Sequence, residues 1–488
     1  MEQALERYRA LQPDWTAFVG ACRRPLELTG WYHPGRPDYG LAAADGFDSE
    51  PLHWRPGAFR ANAAPPMTQS LAYRAGLLHI QEEASMLPVR LLGPKPGERI
   101  LDLCAAPGNK TAEIALALGG RGTVVANDLI AGRLNVVRTT RDRLGLPNVA
   151  TTQVDGCSNA WPDAHFDAVL VDAPCSCEGT LRRHPRAITR SRAADRTRLA
   201  ATQTALLRNA LRMVRPGGRV VYATCTFAPE ENEEVVTDAL RGQTDILVEH
   251  PGELAGLPFS EGLRSWQGQA FHPNMDRAVR LWPGKADTGG FFAVLLRREG
   301  PHEPGEMAPG REGPHEPTEL ARNGDLADQP PPPPAEVPRP HELQRVLDFL
   351  TDSFGLPDAW TRDWRFRLRG RSIDITPSDH VPDLPFPVDP RGFSLVRVNA
   401  RVPKLSTQGA LWMGSLATQQ VVELTRDQAW SFVRGESVGG AWPTAGFGYT
   451  IIRHQGVTLG VGLYRPERNE LESQYPRHWA GLNTPVGG

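Results

Sequence analysis

From Arg99 to Arg297, short apolar runs alternate with stretches whose apolar residues recur at helical spacing. Arg99–Cys104 (RILDLC) predicts a first strand. After a Pro-Gly turn, the pattern from Lys110 to Leu118 predicts a helix. Thr123–Asp128 (TVVAND) predicts the second strand and Arg133–Leu144 its helix, with Val149–Asp155 and Phe166–Asp172 (FDAVLVD) as third and fourth strands. A long helix over Arg196–Val214 stops at Pro216-Gly217-Gly218, before a fifth strand at Arg219–Cys225 (RVVYATC) and a late one at Phe291–Arg297 (FFAVLLR). Strands this apolar, alternating with helices, indicate an α/β class: a doubly wound, Rossmann-like parallel sheet that binds ligands at the carboxyl ends of its strands.

The same pattern divides the chain. Residues 1–90 start helical and continue through a Pro/Gly-rich stretch without clear period, and residues 91–298 carry the alternation. Residues 299–340 hold five consecutive prolines, Pro330 to Pro334, and part of a duplicated REGPHEP at Arg298–Pro304 and Arg311–Pro317, so they predict an extended, disordered linker. Residues 341–488 read as smaller α+β or β-rich units, with a hairpin predicted in Gly446–Tyr464 around His454-Gln455-Gly456. Gly and Pro together make 93 of 488 residues, or 19%, and the linker accounts for part of that excess.

Charge looks neutral, with 54 basic residues against 56 acidic. The linker alone has nine acidic and three basic residues, a net of −6, which leaves +4 on the remainder. That is mildly basic and compatible with a nucleic-acid partner. Only Lys95, Lys110, Lys285 and Lys404 are lysines against 50 Arg, a skew that a GC-rich genome explains. No run approaches the ~18 apolar residues of a membrane span, and the charged start MEQALER lacks a signal-peptide core. These features predict a cytoplasmic protein with no membrane association and no obligate protein partner. Six cysteines at irregular spacing, without Cys-x-x-Cys or His at zinc spacing, predict neither a disulfide framework nor a metal site.

The chemistry lies at the strand ends. The first strand runs into DLCAAPGNKT, a short Gly-containing turn before a helix N-terminus, which suits a carboxylate or phosphate. It is not G-x-G-x-x-G, so a nicotinamide cofactor is disfavoured. The second strand ends at Asp128, placed for ribose hydroxyls, and the third at Asp155, placed for an adenine edge. One acid at a strand end is more often a turn former or cap. Acids on consecutive strand ends beside a Gly turn make a nucleoside site the better reading. The fourth strand ends in Asp172-Ala-Pro-Cys175 and the fifth in Thr-Cys225. If these strands are neighbours, both thiols face one pocket with Asp172 between them. Cys22, Cys104 and Cys157 read as buried bystanders, and Cys177 stands nearer that reading.

The stretches DLCAAPGNKT, VDAPCSCEGTLRR, ATCTFAPEENEEVV and TGGFFAVLLR, in this order, resemble the RNA cytosine-C5 methyltransferases of the RsmB/RsmF group over about Gln81 to Arg298. The segment GYTIIRHQGVTLGVGLY resembles the PUA-like RNA-binding tail of the RsmF branch, placing such a domain at about 395–488 beside an N-terminal RNA-binding region. The resemblance implies S-adenosyl-L-methionine as cofactor and 5-methylcytosine in 16S rRNA of the small ribosomal subunit as product. It implies Cys225 as nucleophile toward carbon 6 of cytosine, Cys175 as the group that helps break the adduct, Asp172 on the base edge, and Lys110 orienting the acids. The cofactor would lie on Cys104, Ala105, Ala106, Pro107, Gly108, Asn109 and Lys110, with Asp128, Arg133, Asp155 and Asp172. DNA cytosine methyltransferases use the Pro-Cys thiol and lack a Thr-Cys partner, so the presence of both favours RNA. Two alternatives stay open: a tRNA methyltransferase, or a non-catalytic RNA-binding assembly factor. Arg182–Arg198, with seven Arg against Asp195, is a candidate phosphate track.

Overall fold

Strands that are apolar on both faces must be covered on both, and they satisfy their backbone by pairing with one another. In the computed structural model, which describes residues 1–36, 40–61, 66–190, 193–300, 340–398 and 402–480, they build a nine-stranded sheet. Its elements are β1 (Arg99–Asp102), α1 (Asn109–Ala117), β2 (Thr123–Asn127), α2 (Ala131–Leu144), β3 (Val149–Thr152), β4 (Phe166–Asp172), α3 (Ala193–Met213), β5 (Val214–Thr224), α4 (Glu233–Leu240), β6 (Ile246–Glu249), β7 (Ser260–Glu261), β8 (Val279–Leu281) and β9 (Phe291–Arg298). The order is β7-β8-β9-β5-β4-β1-β2-β3, with β6 also pairing β9. From β5 to β3 all pairs are parallel. The chain leaves β1 toward β2 and β3, then returns to β4 on the other side, which opens the crevice between β1 and β4.

The late strand β9 departs from the predicted parallel sheet, because it runs antiparallel to β5 with Phe292 opposite Thr224. Apolarity on both faces reports burial and carries no information about direction. The predicted linker, 299–340, lies almost wholly outside the described residues.

The N-terminal stretch without clear period is a four-stranded antiparallel sheet in the order Ser49–Pro51, Ala58–Ala61, Leu28–Tyr32, Leu78–Ile80. Its period-2 alternation feeds two different cores. Trp31 and Ala58 join Ile100, Val124 and Leu170 of the nine-stranded sheet, whereas Phe59, Ala61 and Leu78 join Val422, Phe432 and Trp479 of the C-terminal part. A buried polar chain ties this sheet to α1: Trp31 Nε1 donates to Gln81 Oε1 at 2.9 Å, and Gln81 Nε2 to Glu113 Oε2 at 2.8 Å.

The C-terminal part has a four-stranded and a five-stranded sheet. In the latter, Gly448–His454 and Val457–Arg465 form the predicted hairpin. Gln455 and Gly456 both have positive φ, +50° and +76°, as a two-residue hairpin turn requires. This part also covers the β3 edge of the nine-stranded sheet, where Thr151 and Asp389 exchange backbone hydrogen bonds of 3.0 and 2.8 Å.

At the carboxyl ends of the central strands, three loops cross with no room for a side chain. The Gly179 N–H donates to Cys225 O and the Gly290 N–H to Gly179 O, each at 2.9 Å. A Cβ on Gly290 would stand 2.0 Å from Phe227 Cε1, and one on Gly179 would stand 2.2 Å from Gly290 O. Gly290→Ala is therefore expected to destabilise the protein by about 1–3 kcal/mol through overpacking. Urea denaturation would show a lowered midpoint, and an unchanged midpoint would contradict this crossing.

Candidate active site

β4 and β5 pair in parallel with Asp172 opposite Ala223, so their loops leave the sheet at one level. The loops bring Cys175 Sγ to 3.4 Å from Cys225 Sγ, both half-buried. Buried acceptors fix the geometry. Glu231 Oε2 receives the Ser176 N–H at 2.9 Å and Gln203 Nε2 at 3.0 Å, and Gln203 Nε2 also donates to Pro174 O at 2.9 Å. The Ser176 and Thr226 hydroxyls meet at 2.7 Å, joining the loop after β4 to the loop after β5. Behind them the N-terminal helices complete the support. Tyr8 donates to Glu178 and packs edge-on against Phe227 at 5.7 Å between centroids. Phe227 in turn stacks on Trp282 at 5.2 Å.

Lys110, buried in the first turn of α1, donates to Asp172 Oδ2 at 2.6 Å and to Ser85 Oγ at 3.0 Å. Burial works against its charge, but Asp172, by charge and hydrogen bond, together with Asp102 and Cys225, holds the ammonium above its usual range. Asp102, at the end of β1, is wholly buried; burial pushes its carboxyl up to about 7, partly offset by the Thr111 hydroxyl at 2.7 Å. Lysine, aspartate and two thiols thus converge on the crevice between β1, β4 and β5.

The turn from Cys104 to Lys110 lies beside this group. Ala105 N–H bonds to Asn127 O at 2.7 Å and Ala106 N–H to Asp128 Oδ2 at 3.3 Å. Gly108 caps α1 at φ +106° with no side-chain hydrogen bond to the first-turn N–H groups. Asn109 turns its side chain away from the turn. Arg143 can only donate to His79 Nδ1, at 2.6 Å, so His79 Nε2–H donates to Asn109 Oδ1 at 2.9 Å. Asp128 is buried, accepts the Ile130 N–H at 3.0 Å and pairs with Arg133 at 3.2 Å, while Arg133 also donates to Ala106 O at 2.9 Å. Leu129 and Ile130, exposed at 62% and 55%, leave apolar surface next to this carboxylate. Uncapped helix N–H groups, a strand-end carboxylate and adjacent apolar surface are the donor set that S-adenosylmethionine requires for its carboxylate, ribose and purine. Asp102 Oδ1, buried without a hydrogen-bond partner, is a further acceptor beside the turn. The residues fit the cofactor.

Asp155 is placed differently from its predicted strand end. β3 stops at Thr152, and Asp155 stands exposed in the following turn, accepting the Cys157 N–H at 2.9 Å. The cause is Asn127, which sequence reasoning missed. Its side chain accepts from Val154 N–H and donates to both Val154 O and Leu103 O, all at 2.9 Å, so Val154 pairs with a side chain instead of a strand. A lone amide ending the otherwise apolar run TVVAN was the available signal. Ser85, Gln203 and Glu231 were missed as well; Glu231 lies within the stretch ATCTFAPEENEEVV, which was the available signal, whereas nothing local marks Ser85 or Gln203.

The proposed arginine track is corrected at two positions. Arg182 is buried and gives its guanidinium to the carbonyls of Arg24, Thr288 and Pro25 at 2.9, 3.1 and 3.0 Å. Arg196 is 13% exposed and lies 3.6 Å from Glu178. These two brace the fold and are not open to phosphate; Arg183, Arg186 and Arg198 are exposed. Arg192 and the side chain of Arg190 lie outside the described residues. Burial pushes Cys22 up to about 12 and Cys157 up to about 11, in keeping with inert thiols. Cys177 does not stand apart. Its Sγ lies 3.9 Å from Cys175 Sγ.

Among the described residues no helix is long and apolar enough to cross a membrane. The family model for 16S rRNA methyltransferase RsmB/F matches residues 89–297, and that for the methyltransferase RsmF PUA domain matches 419–480. Ribosomal RNA small subunit methyltransferase F of Aeromonas salmonicida (strain A449) is 32% identical over 494 residues, covering 96% of this chain and 94% of its own. The protein of that name from Klebsiella pneumoniae (strain 342) is 30% identical over 499 residues, covering 98% and 95%. A solved methyltransferase homolog protein from Pyrococcus horikoshii aligns at a TM-score of 0.52 and 26% identity, over 61% of this chain and 99% of its own. With a nucleoside-type crevice, two facing thiols and near full-length similarity, the chain belongs to the S-adenosylmethionine-dependent RsmB/F family of methyltransferases.

Proposed function

We propose that the chain methylates carbon 5 of a cytosine in 16S rRNA of the small ribosomal subunit, in the cytoplasm, through a transient bond between Cys225 and carbon 6 of the base. The observation that carries this reading is the 3.4 Å separation of the Cys175 and Cys225 sulfurs beside the Lys110–Asp172 pair. A carbon-5 methylation needs a nucleophile, an acid at the base edge and a second group for release, and these residues supply all three.

Carbon 5 of cytosine is a poor nucleophile. Addition of the Cys225 thiolate to carbon 6 makes it enamine-like, and loss of the carbon-5 proton after methylation breaks the sulfur–carbon bond and returns the thiolate. S-adenosylmethionine, when bound, supplies an electrophilic methyl group. Asp172, held by Lys110, hydrogen-bonds the base edge and stabilises the activated ring. Cys175, in contact with Cys225, assists release of the adduct. The turn Cys104–Lys110 with Asp128 and Arg133 holds the cofactor, and Asp155 reaches it from its exposed turn. The base must leave its stack to meet a thiol at the floor of this crevice, so an unpaired or weakly stacked cytosine is the expected target. The part matched by the PUA model provides a second RNA contact.

Protonation sets the resting state. Although the contact with Cys175 lowers it, Cys177 and burial push the Cys225 thiol well above its usual range. The free enzyme therefore holds its nucleophile protonated at neutral pH.

With small ribosomal subunits and labelled cofactor, Cys225→Ser should lower kcat by about 1,000-fold or more; wild-type labelling in this variant would overturn the assignment. Cys175→Ala should accumulate RNA-linked protein, seen as a gel shift that survives denaturation, and absence of that species would contradict the release role. For the wild type, kcat/KM should keep rising with pH from neutral past about 8, as more Cys225 ionises. A plateau reached below that pH would contradict a protonated resting nucleophile.

A further inference from the structure

The proposed reaction uses two thiols, yet three meet at the ends of β4 and β5. Cys177, the third, stands at φ +58°, in the left-handed region that glycine adopts freely and other residues rarely do. Its conformation is what brings its sulfur into the group. Cys177 Sγ is 3.9 Å from Cys175 Sγ, Cys175 Sγ is 3.4 Å from Cys225 Sγ, and all three sulfurs lie within 4.8 Å of one another. Non-glycine residues in sparsely populated backbone regions cluster where a side chain has a task.

The spacing identifies a task. Three thiolates at about 2.3 Å from one tetrahedral ion are about 3.8 Å apart. The separations of 3.4 and 3.9 Å bracket that value and the third is within 4.8 Å, so small side-chain adjustments bring all three sulfurs to one ion. Sulfur donors select soft or borderline cations such as zinc and reject magnesium and calcium. Asp172, the carboxylate assigned to the reaction, is held by Lys110 at 2.6 Å, so the three sulfurs are the donors of the site.

We propose that Cys175, Cys177 and Cys225 form a three-sulfur site for one zinc(II)-class cation, and that filling it switches the methyltransferase off. On binding, the protons still held by the three sulfurs pass to solvent, three metal–sulfur bonds replace metal–water bonds, and no electrons move. The ion occupies both sulfurs assigned to the reaction, and a chelator that removes it returns them. Cys177 decides the affinity, because Cys175 and Cys225 alone offer only two donors. The silencing rests on the roles proposed for Cys225 and Cys175, whereas the binding does not.

The full chain, kept reduced and free of RNA, would be titrated with cadmium(II) and followed by sulfur-to-metal charge-transfer absorption. Zinc(II) affinity would be measured against a competing chelator. Wild type should take up one ion per chain with the absorption of three thiolates. Cys177→Gly, which relaxes the backbone at this position, should lose about a third of that absorption and bind zinc at least about 100-fold more weakly, beyond what loss of a supporting group alone costs. Whatever its rate without zinc, Cys177→Gly should keep that rate at zinc concentrations that stop the wild type. Cys177→Ser, which keeps a side chain but not the sulfur, should behave like Cys177→Gly toward zinc. Equal zinc affinity in wild type and both variants, or no uptake by wild type, would overturn the site. Three-thiolate binding by a chain that never methylates RNA would instead sustain the site and overturn the proposed function.

Discussion

Everything at this site depends on one backbone fact, the parallel pairing of β4 and β5 with Asp172 opposite Ala223. Neighbouring strands lie about 4.8 Å apart. Two loops leaving such a pair at the same level must place their first residues side by side. Cys175 is the third residue after Asp172 and Cys225 the second after Ala223, so their sulfurs meet at 3.4 Å. A register slip of one residue would turn Asp172 to the other face of the sheet and separate it from Lys110.

A sulfur pair at such a distance is of use only if its loops are rigid, and the surrounding structure spends many buried groups on that. Glu231 and Gln203 hold the loop after β4, the Ser176–Thr226 contact joins it to the loop after β5, and Gly179 and Gly290 let the backbone of β9 cross both. The N-terminal helices add Tyr8 and the aromatic stack behind Phe227. This accounts for a part of the chain whose sequence carries no recognisable chemistry but whose removal would release the loop that bears Cys175. Charge follows the same logic: Lys110 is held by Asp172, while the contact with Cys175 lowers the Cys225 thiol and Cys177 and burial raise it by more.

Much of this was legible in the sequence. The alternation of apolar runs and helical periods located the five parallel strands, and their ends named Asp128, Asp172, Cys175 and Cys225 before any contact was known. What escaped did so for identifiable reasons. The N-terminal sheet buries both faces, against Ile100 and Val124 on one side and Phe432 on the other, so it has no polar face to give a clean alternation. Asp155 was misplaced because Val154 follows the β-branched residues Val149, Thr151 and Thr152 and reads as more strand, whereas the Asn127 side chain captures its backbone and ends the strand. Arg182 was counted with its neighbours because an arginine that gives its guanidinium to three carbonyls is spelled like one that faces solvent. The expectation of no metal site rested on local spacing, which could not show the sulfur grouping on which the proposed site rests, because that grouping joins Cys-Ser-Cys to a residue 48 positions further along the chain.

The central claim is that Cys225, and not its neighbour at 3.4 Å, forms the bond to the base. Small-subunit RNA carrying 5-fluorocytidine tests it most directly, because fluorine at carbon 5 blocks the proton loss that would free the sulfur. After incubation with the wild-type chain and S-adenosylmethionine, digestion and mass spectrometry should find the modified nucleotide on the peptide that contains Cys225. Finding it on the peptide that contains Cys175 and Cys177, or finding none while unsubstituted RNA is methylated, would contradict the account.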